Sequence, residues 1–489
     1  MRTQALSWAA LLVVVAAIAV GITASSGSKK PTTKTPPPAP TASVLASASN
    51  SSRGVTSNSI RVAFPISNLT TLASNFGFAG DIEFSQQARA INTYVNAINA
   101  AGGINGRQII ADIVNFNPTS ETNMQALCTQ WTEGSPPVFA VVDGLGDWEG
   151  TDELCITQEG HTPMIAQWST VSQWTQEAAP YLWWTGADMS QELATLVDWG
   201  KSAGLLGGGK RVGIIVGDRP SDQDAVNDYL LPDFTQAGLP KPDVITMPAE
   251  TSEQAEISSA APLVVQRLQQ AGIQSVIPLI PENAFFVYLS AEGQDSYYPK
   301  LLLSDYEETI QIGLGLIPTP FEKELNLQEG ITTETLGGAD ENSITVDGKS
   351  TPLPESKGGY DPGVQNCYDI WKAHNAPPKN KSPFIEEQGP IVGWCQAIEL
   401  FADAAKKAGK DLTRRTFVEA MATIKNFAGT YSPVLSYGPD RYAGPTEYRV
   451  VRIYNNSPSH NECVLTYDGV PQGTCWQIVS NWKPLSGAT

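Results

Sequence analysis

The stretch Ala97–Ile110, AINAAGGINGRQII, leaves the chain little freedom. Before it, Ala88, Ile91, Val95 and Ile98 recur at helical spacing, so the helix expected over Phe84–Ala101 carries one apolar face that must pack. Gly102 and Gly103 stand where a helix closes in a left-handed turn, a conformation that a Cβ resists. Asn105-Gly106 makes a second tight turn, and Gln108–Val114, rich in Ile and Val, reads as a strand. With Ile60–Ile66 as an earlier strand, the region predicts the opening βαβ unit of a parallel sheet.

The alternation continues. Further strands are expected at Val138–Asp143, Thr162–Ala166 and Tyr181–Thr185, with helices at Glu121–Glu133, Trp148–Gln158 and Val171–Glu177. A second series follows from Ser190: helices at 190–203, 222–236, 252–271 and 283–292, and strands at 211–216, 243–247, 275–280 and 301–304. Two such runs in 489 residues predict two doubly wound α/β lobes. Residues 59–185 form the first, joined by part of 340–430; residues 186–335 form the second, joined by part of 430–489. Glu329–Gly359 reads as a Gly/Ser/Thr-rich insertion.

A net charge of −19 argues against nucleic acid, since no basic patch is available to neutralise phosphates, and against adsorption to anionic lipid. The N-terminus has the shape of an export signal: Arg2, an apolar core from Ala9 to Ala19, then small residues. Cleavage after Ala19 or Ala24 and retention as a signal-anchor through Leu6–Ile22 are both open, and residues 1–26 are assigned to one or the other. The protein is then extracytoplasmic, secreted or held on the outer face of the cell membrane by residues 6–22, with no other membrane contact. Residues 27–58, dominated by Ser, Thr, Pro, Lys and Ala, read as a disordered linker.

Six cysteines allow fifteen connectivities. Nearness in sequence favours Cys128–Cys155, Cys367–Cys395 and Cys463–Cys475. Each closed loop would stabilise by roughly 3–4 kcal/mol on the chain-entropy model.

Catalytic motifs are missing. His161, His374 and His460 form no HExxH and sit beside no carboxylate in sequence, so ordinary structural roles are expected. Gly204–Lys210 imitates a phosphate loop but precedes its strand and continues with Arg211 where Ser or Thr is required. No GxSxG occurs. No metal, no cofactor and no enzymatic activity are expected.

The wording of Ala97–Ile110 resembles the type I periplasmic binding proteins of the leucine/isoleucine/valine-binding group, the receptors that feed ABC importers. In that family a helix ending in NAxGGINGRxI follows the first strand. Pro180–Gly186, PYLWWTG, stands where the family's chain crosses between lobes, commonly with F-R-T; here Trp183, Trp184 and Thr185 take those places and the usual Arg is absent. A third stretch matches in order: a helix over Ile391–Lys407, AGKDLTRRTFVEAMATIKNFAG at 408–429, and SPVLSYGPDRYAGPTEYRVVRIYN at 432–455.

The resemblance implies two Rossmann-like lobes with an interlobe cleft that closes on a small solute, an amino acid or similar polar or amphipathic molecule, and passes it to an ABC permease. A membrane-anchored sensor of the same fold is the alternative; a secreted hydrolase is a weaker one. The resemblance also supports the first cysteine pair, because many relatives link the second and third helices by a disulfide.

Open α/β sheets bind ligands beyond the carboxyl ends of their strands. Those loops hold Phe78, then Asp147 and Trp148, then Gln167, Trp168, Ser169 and Thr170 in the first lobe. In the second they hold Arg219, Pro281 and Asp305. The resemblance assigns Ser169 and Thr170 to polar head groups, and Asp305 to an acidic position that some relatives use for an ammonium. Two departures weaken a branched-chain amino acid as ligand: Asp143–Asp147 lacks the usual hydroxyl residues, and Arg219 or Pro220 replaces a covering aromatic. Trp148 and Trp168 suit a flatter or larger ligand, or else pack within the interlobe wall.

Overall fold

Strand β1, Ser59–Ser67, explains the first layer. Ile60, Val62, Phe64 and Ile66 point into one apolar cluster and Ala63 into another, the two-residue alternation of a strand covered on both faces. The computed structural model describes residues 42–67, 84–116, 121–143, 154–167, 172–250, 253–307, 322–334, 343–346, 349–352, 362–375, 388–455, 466–467, 470–471 and 474–487. Strands β2 (Gln108–Phe116), β3 (Ala140–Val142), β4 (Met164–Ala166) and β5 (Leu182–Trp184) complete a parallel sheet in the order β2-β1-β3-β4-β5. The helix Phe84–Ala100 buries Ala90, Ile91, Tyr94, Val95 and Ile98 against it. The helix expected at 148–158 is described only from Leu154, and Cys155–Glu159 is π-helical.

The turn after that helix accounts for its wording. Gly103 has φ +71°, and a Cβ there would lie 2.0 Å from the Arg107 carbonyl oxygen. Its N–H closes the helix on Ile98 O at 2.9 Å. Asn105 Nδ2 donates to the carbonyls of Ala405 and Lys406, and Arg107 donates to Thr56 O and Lys410 O, both at 2.8 Å. The polar residues of the turn thus tie it to the end of the distant helix Gln388–Ala408.

Strands β6 (Val212–Gly217), β7 (Asp243–Met247), β8 (Ser275–Leu279), β9 (Lys300–Leu303) and β10 (Glu329–Thr332) are the parallel part of the second sheet, in the order β7-β6-β8-β9-β10. The strand Glu447–Asn455 adds antiparallel to β10, and Thr474–Ile478 and the hairpin 343–352 extend that edge. Glu329–Thr332 is therefore sheet rather than the start of an insertion. Gly330 permits it, since a Cβ there would meet the Leu303 backbone at 2.7 Å.

The helices Pro362–His374, Gln388–Ala408 and Arg414–Met421 return to the first layer and share the apolar cluster of β1. The lobes are joined at Thr185–Asp188 and again beyond Ala443, where the two passages pair: Trp184 N–H donates to Tyr442 O and Gly444 N–H to Trp184 O.

The disordered linker expected over 27–58 needs correction from residue 42 onward. Ala42–Ser47 is a helix, and Leu45 and Ala48 are buried in the cluster of the first sheet. Ser49 and Ser51 carbonyls accept the N–H groups of Arg415 and Arg414, and Tyr181 Oη accepts from Ser49 N–H. These long-range bonds and two apolar side chains offset the ordering entropy that composition alone would leave unmet.

Disulfides join Cys128 to Cys155 and Cys367 to Cys395. Cys463 lies outside the described residues, as do residues 1–26. Among the described residues no helix is long and apolar enough to cross a membrane.

Candidate ligand-binding site

The carboxyl ends of the parallel strands define where side chains gather. In the first lobe β4 ends at Ala166 and is followed by Gln167, which is 2% exposed. Its backbone carbonyl accepts Gly186 N–H at 2.8 Å, and its Oε1 has no hydrogen-bond partner among the described residues. Phe78, Asp147, Trp148, Trp168, Ser169 and Thr170 lie outside the described residues.

In the second lobe the described residues at this edge include those directly after β6, β8, β9 and β10. After β6, Arg219 adopts extended backbone at the N-cap of the helix beginning at Pro220. Its Nε donates to Asp222 Oδ2 at 2.8 Å and its Nη2 to Asp222 Oδ1 at 3.1 Å, a two-pronged fit of guanidinium to carboxylate. Gly217 makes room for that carboxylate, since a Cβ there would lie 2.0 Å from Asp222 Oδ2. Tyr306, after β9, donates its hydroxyl proton to Asp222 and accepts from Arg219. Burial pushes the Tyr306 hydroxyl well above its ordinary pKa, with Arg219 pulling it down and Asp222 pushing it up, so the group stays a phenol.

Asp305 is bonded within its own lobe. Thr333, after β10, donates both its N–H and its hydroxyl to Oδ2 at 2.8 Å, and the Asp305 N–H donates to Glu192 Oε1 at 2.6 Å. Oδ1 has no hydrogen-bond partner among the described residues, and burial raises the carboxyl pKa. Pro281 caps the helix Glu282–Asp295 after β8 with extended backbone.

The structure therefore brings Arg219 together with Asp222 and Tyr306, and Asp305 with Thr333. Asp222 and Thr333 escape sequence reading, whereas Tyr306 stands beside Asp305 at the end of the strand; the signal for Asp222 is its position three residues after Arg219, on the same face of a helix start. His161 stacks on Tyr181 at 5.5 Å and His374 Nδ1 lies 2.8 Å from Ile370 O, while His460 lies outside the described residues. Among the described residues no three His, Cys, Asp or Glu side chains are grouped to hold a metal.

A family model described as periplasmic binding protein matches residues 66–303. No curated protein matches the sequence significantly. Among solved structures, a type 1 periplasmic binding protein from Bordetella pertussis is similar with a TM-score of 0.58 at 16% identity, covering 82% of this chain and 98% of that one. An ABC-transporter solute-binding protein from R. palustris in complex with 4-hydroxybenzoate gives 0.61 at 13% identity, covering 88% and 98%. A branched-chain amino acid ABC transporter protein from Thermus thermophilus with bound valine gives 0.59 at 14%, again covering 88% and 98%. Residues 66–303 belong to the periplasmic binding protein family, and the chain has the type I periplasmic binding protein fold.

Proposed function

We propose that this chain is an extracytoplasmic solute-binding protein of an ABC importer, capturing a small polar or amphipathic solute by lobe closure and presenting it to a permease. The observation that carries the reading is the carboxyl edge of the second sheet, where Arg219, Asp222 and Tyr306 form a rigid, mutually satisfied unit at a ligand-binding position of open α/β sheets. Gln167 Oε1 and Asp305 Oδ1, buried acceptors at the carboxyl ends of β4 and β9, favour a ligand that supplies N–H or O–H donors, such as an amino acid or a hydroxylated acid. Ser169 and Thr170 are proposed to hold its polar head, with Trp168 against its apolar part; Phe78, Asp147, Trp148 and Pro281 complete the proposed lining. Ligand contact with both lobes only when closed would shift the population toward the closed state by the differential contact energy.

One neighbour carries valine and another 4-hydroxybenzoate, so the fold does not select the ligand. Native mass spectrometry of freshly purified protein should reveal a retained small molecule, and calorimetry should then give saturable binding. Absence of heat or thermal shift across amino acids, aromatic acids and fatty acids would remove the reading. A membrane-anchored sensor shares the binding step and differs in failing to associate with any permease.

A further inference from the structure

The short helix Ser172–Glu177 follows β4 in the first lobe, yet its two ends belong to different lobes. At its start, Ser172 N–H donates to Ser190 Oγ at 2.9 Å and Ser172 Oγ–H to the Asp188 carboxylate at 2.9 Å. Gln173 N–H donates to the Tyr229 hydroxyl at 3.1 Å, and Trp174 Nε1–H to Asp224 Oδ2 at 3.2 Å. Trp174 also packs against the apolar cluster of the second sheet. At the other end, Thr175 Oγ1 accepts from Trp184 Nε1 at 3.0 Å, and Ala178 is buried in the first lobe's cluster. First-turn N–H groups of a helix have no partner within it; here the second-lobe side chains of Ser190 and Tyr229 satisfy two of them.

The second-lobe helix is shaped for this contact. Between Pro220–Asp224 and Leu231–Gln236 it runs as a π-helix over Ala225–Leu230, with Leu231 N–H reaching back to Val226 O. In an ordinary α-helix Asp224 and Tyr229, five residues apart, would point about 140° away from each other. The wider π turn brings residues five apart onto one face, and both side chains meet the helix Ser172–Glu177.

We propose that the helix Ser172–Glu177 is an interlobe latch, engaged by Asp224 and Tyr229, that restrains lobe opening in the absence of ligand. It rests on the solute-binding reading only in that the lobes must move. Asp188 lies on the crossing segment itself, so its bond to Ser172 persists through small rotations about that segment. The bonds of Gln173 and Trp174 reach further into the second lobe and must break in a large one.

The test uses the ligand-free full chain, so it remains readable if solute capture is disproved. Hydrogen exchange and small-angle scattering are compared for wild type, Tyr229→Phe, Asp224→Ala and Asp224→Asn. Tyr229→Phe removes the acceptor of Gln173 N–H and should speed that amide's exchange about tenfold, the equivalent of one lost hydrogen bond. Both Tyr229→Phe and Asp224→Ala should raise exchange in 172–178 and 220–236 together and enlarge the radius of gyration, with melting temperature nearly unchanged. Asp224→Asn keeps an acceptor for the Trp174 N–H and should behave as wild type. Unchanged exchange and scattering would overturn the proposal, as would faster exchange confined to 172–178, or Asp224→Asn opening the lobes as Asp224→Ala does.

Discussion

The second lobe buries acids at both ends of its sheet and treats them oppositely. At the carboxyl end, Asp222 meets a guanidinium on two oxygens and a phenol besides. Toward the amino end, Glu292 is fully buried on the helix Glu282–Asp295, and among the described residues no donor lies in good hydrogen-bond geometry to either of its oxygens. Tyr288, one helical turn earlier, and Glu324 face it, both acidic groups, and Gly293 leaves the space that the Glu324 carboxylate fills. Burial, then the charge of Glu324, pushes the Glu292 carboxyl well above its ordinary pKa, against a pull from the Tyr288 hydroxyl. Burial alone does not decide whether an acid stays charged; the partner does. Asp222 is met by a cation and a hydroxyl donor, whereas burial and the neighbouring Glu324 disfavour the charged form of Glu292.

The largest effect should come from breaking the compensated end. Arg219→Ala strands the Asp222 carboxylate and is expected to cost about 3–5 kcal/mol, the usual penalty for removing one member of a buried pair. Urea unfolding at neutral pH measures it. A cost of a few tenths of a kcal/mol would place Arg219 and Asp222 among exposed pairs and dissolve the contrast.

At the uncompensated end the sign reverses. The folded-state pKa of Glu292 is raised above its ordinary 4.5, so its contribution is fully present below that value and is lost as pH climbs through the folded value. Glu292→Gln removes the titration and should be more stable than wild type by about 1–3 kcal/mol at alkaline pH, with little difference at pH 4. Parallel stability curves for the two proteins from pH 4 to 9 would show that Glu292 is solvated or paired after all.

These clusters also mark where sequence reading reaches its limit. The opening βαβ unit is legible because Ala88, Ile91, Val95 and Ile98 report their own helix, and Gly102 and Gly103 their own turn. The partner of Tyr306 lies 87 residues away and that of Trp174 lies 50 away, separations at which no periodicity operates. Residues 42–58 fail for the same reason. Their composition is that of a linker, and what orders them is Arg414, Arg415 and Tyr181, far along the chain. Glu329–Thr332 is too short to show alternation, and its place in the sheet comes from Leu303 and Val451 on either side. For the first-lobe ligand residues the reading rests on their place beyond strand carboxyl ends and, for Ser169 and Thr170, on resemblance as well.

The smallest expected effect lies between the two extremes, at Asp305. Thr333 donates twice to one oxygen of this carboxylate, the Thr332 hydroxyl also favours its charged form, and the other oxygen has no partner in good geometry among the described residues. Burial raises its pKa from the ordinary 3.8, and the Thr333 hydroxyl is one of the groups that hold it down. Thr333→Val removes that hydroxyl while keeping the backbone N–H, so the Asp305 pKa should rise further. Loss of one hydrogen bond to a partly compensated group costs about 1 kcal/mol. Because the lost donor favours the charged form, the penalty should grow as pH rises through the raised folded-state pKa and shrink under acid, where both proteins carry a protonated Asp305. A penalty of the same size at pH 3 and pH 7 would mean that Thr333 acts through packing alone, and Asp305 would then join Glu292 among the uncompensated acids.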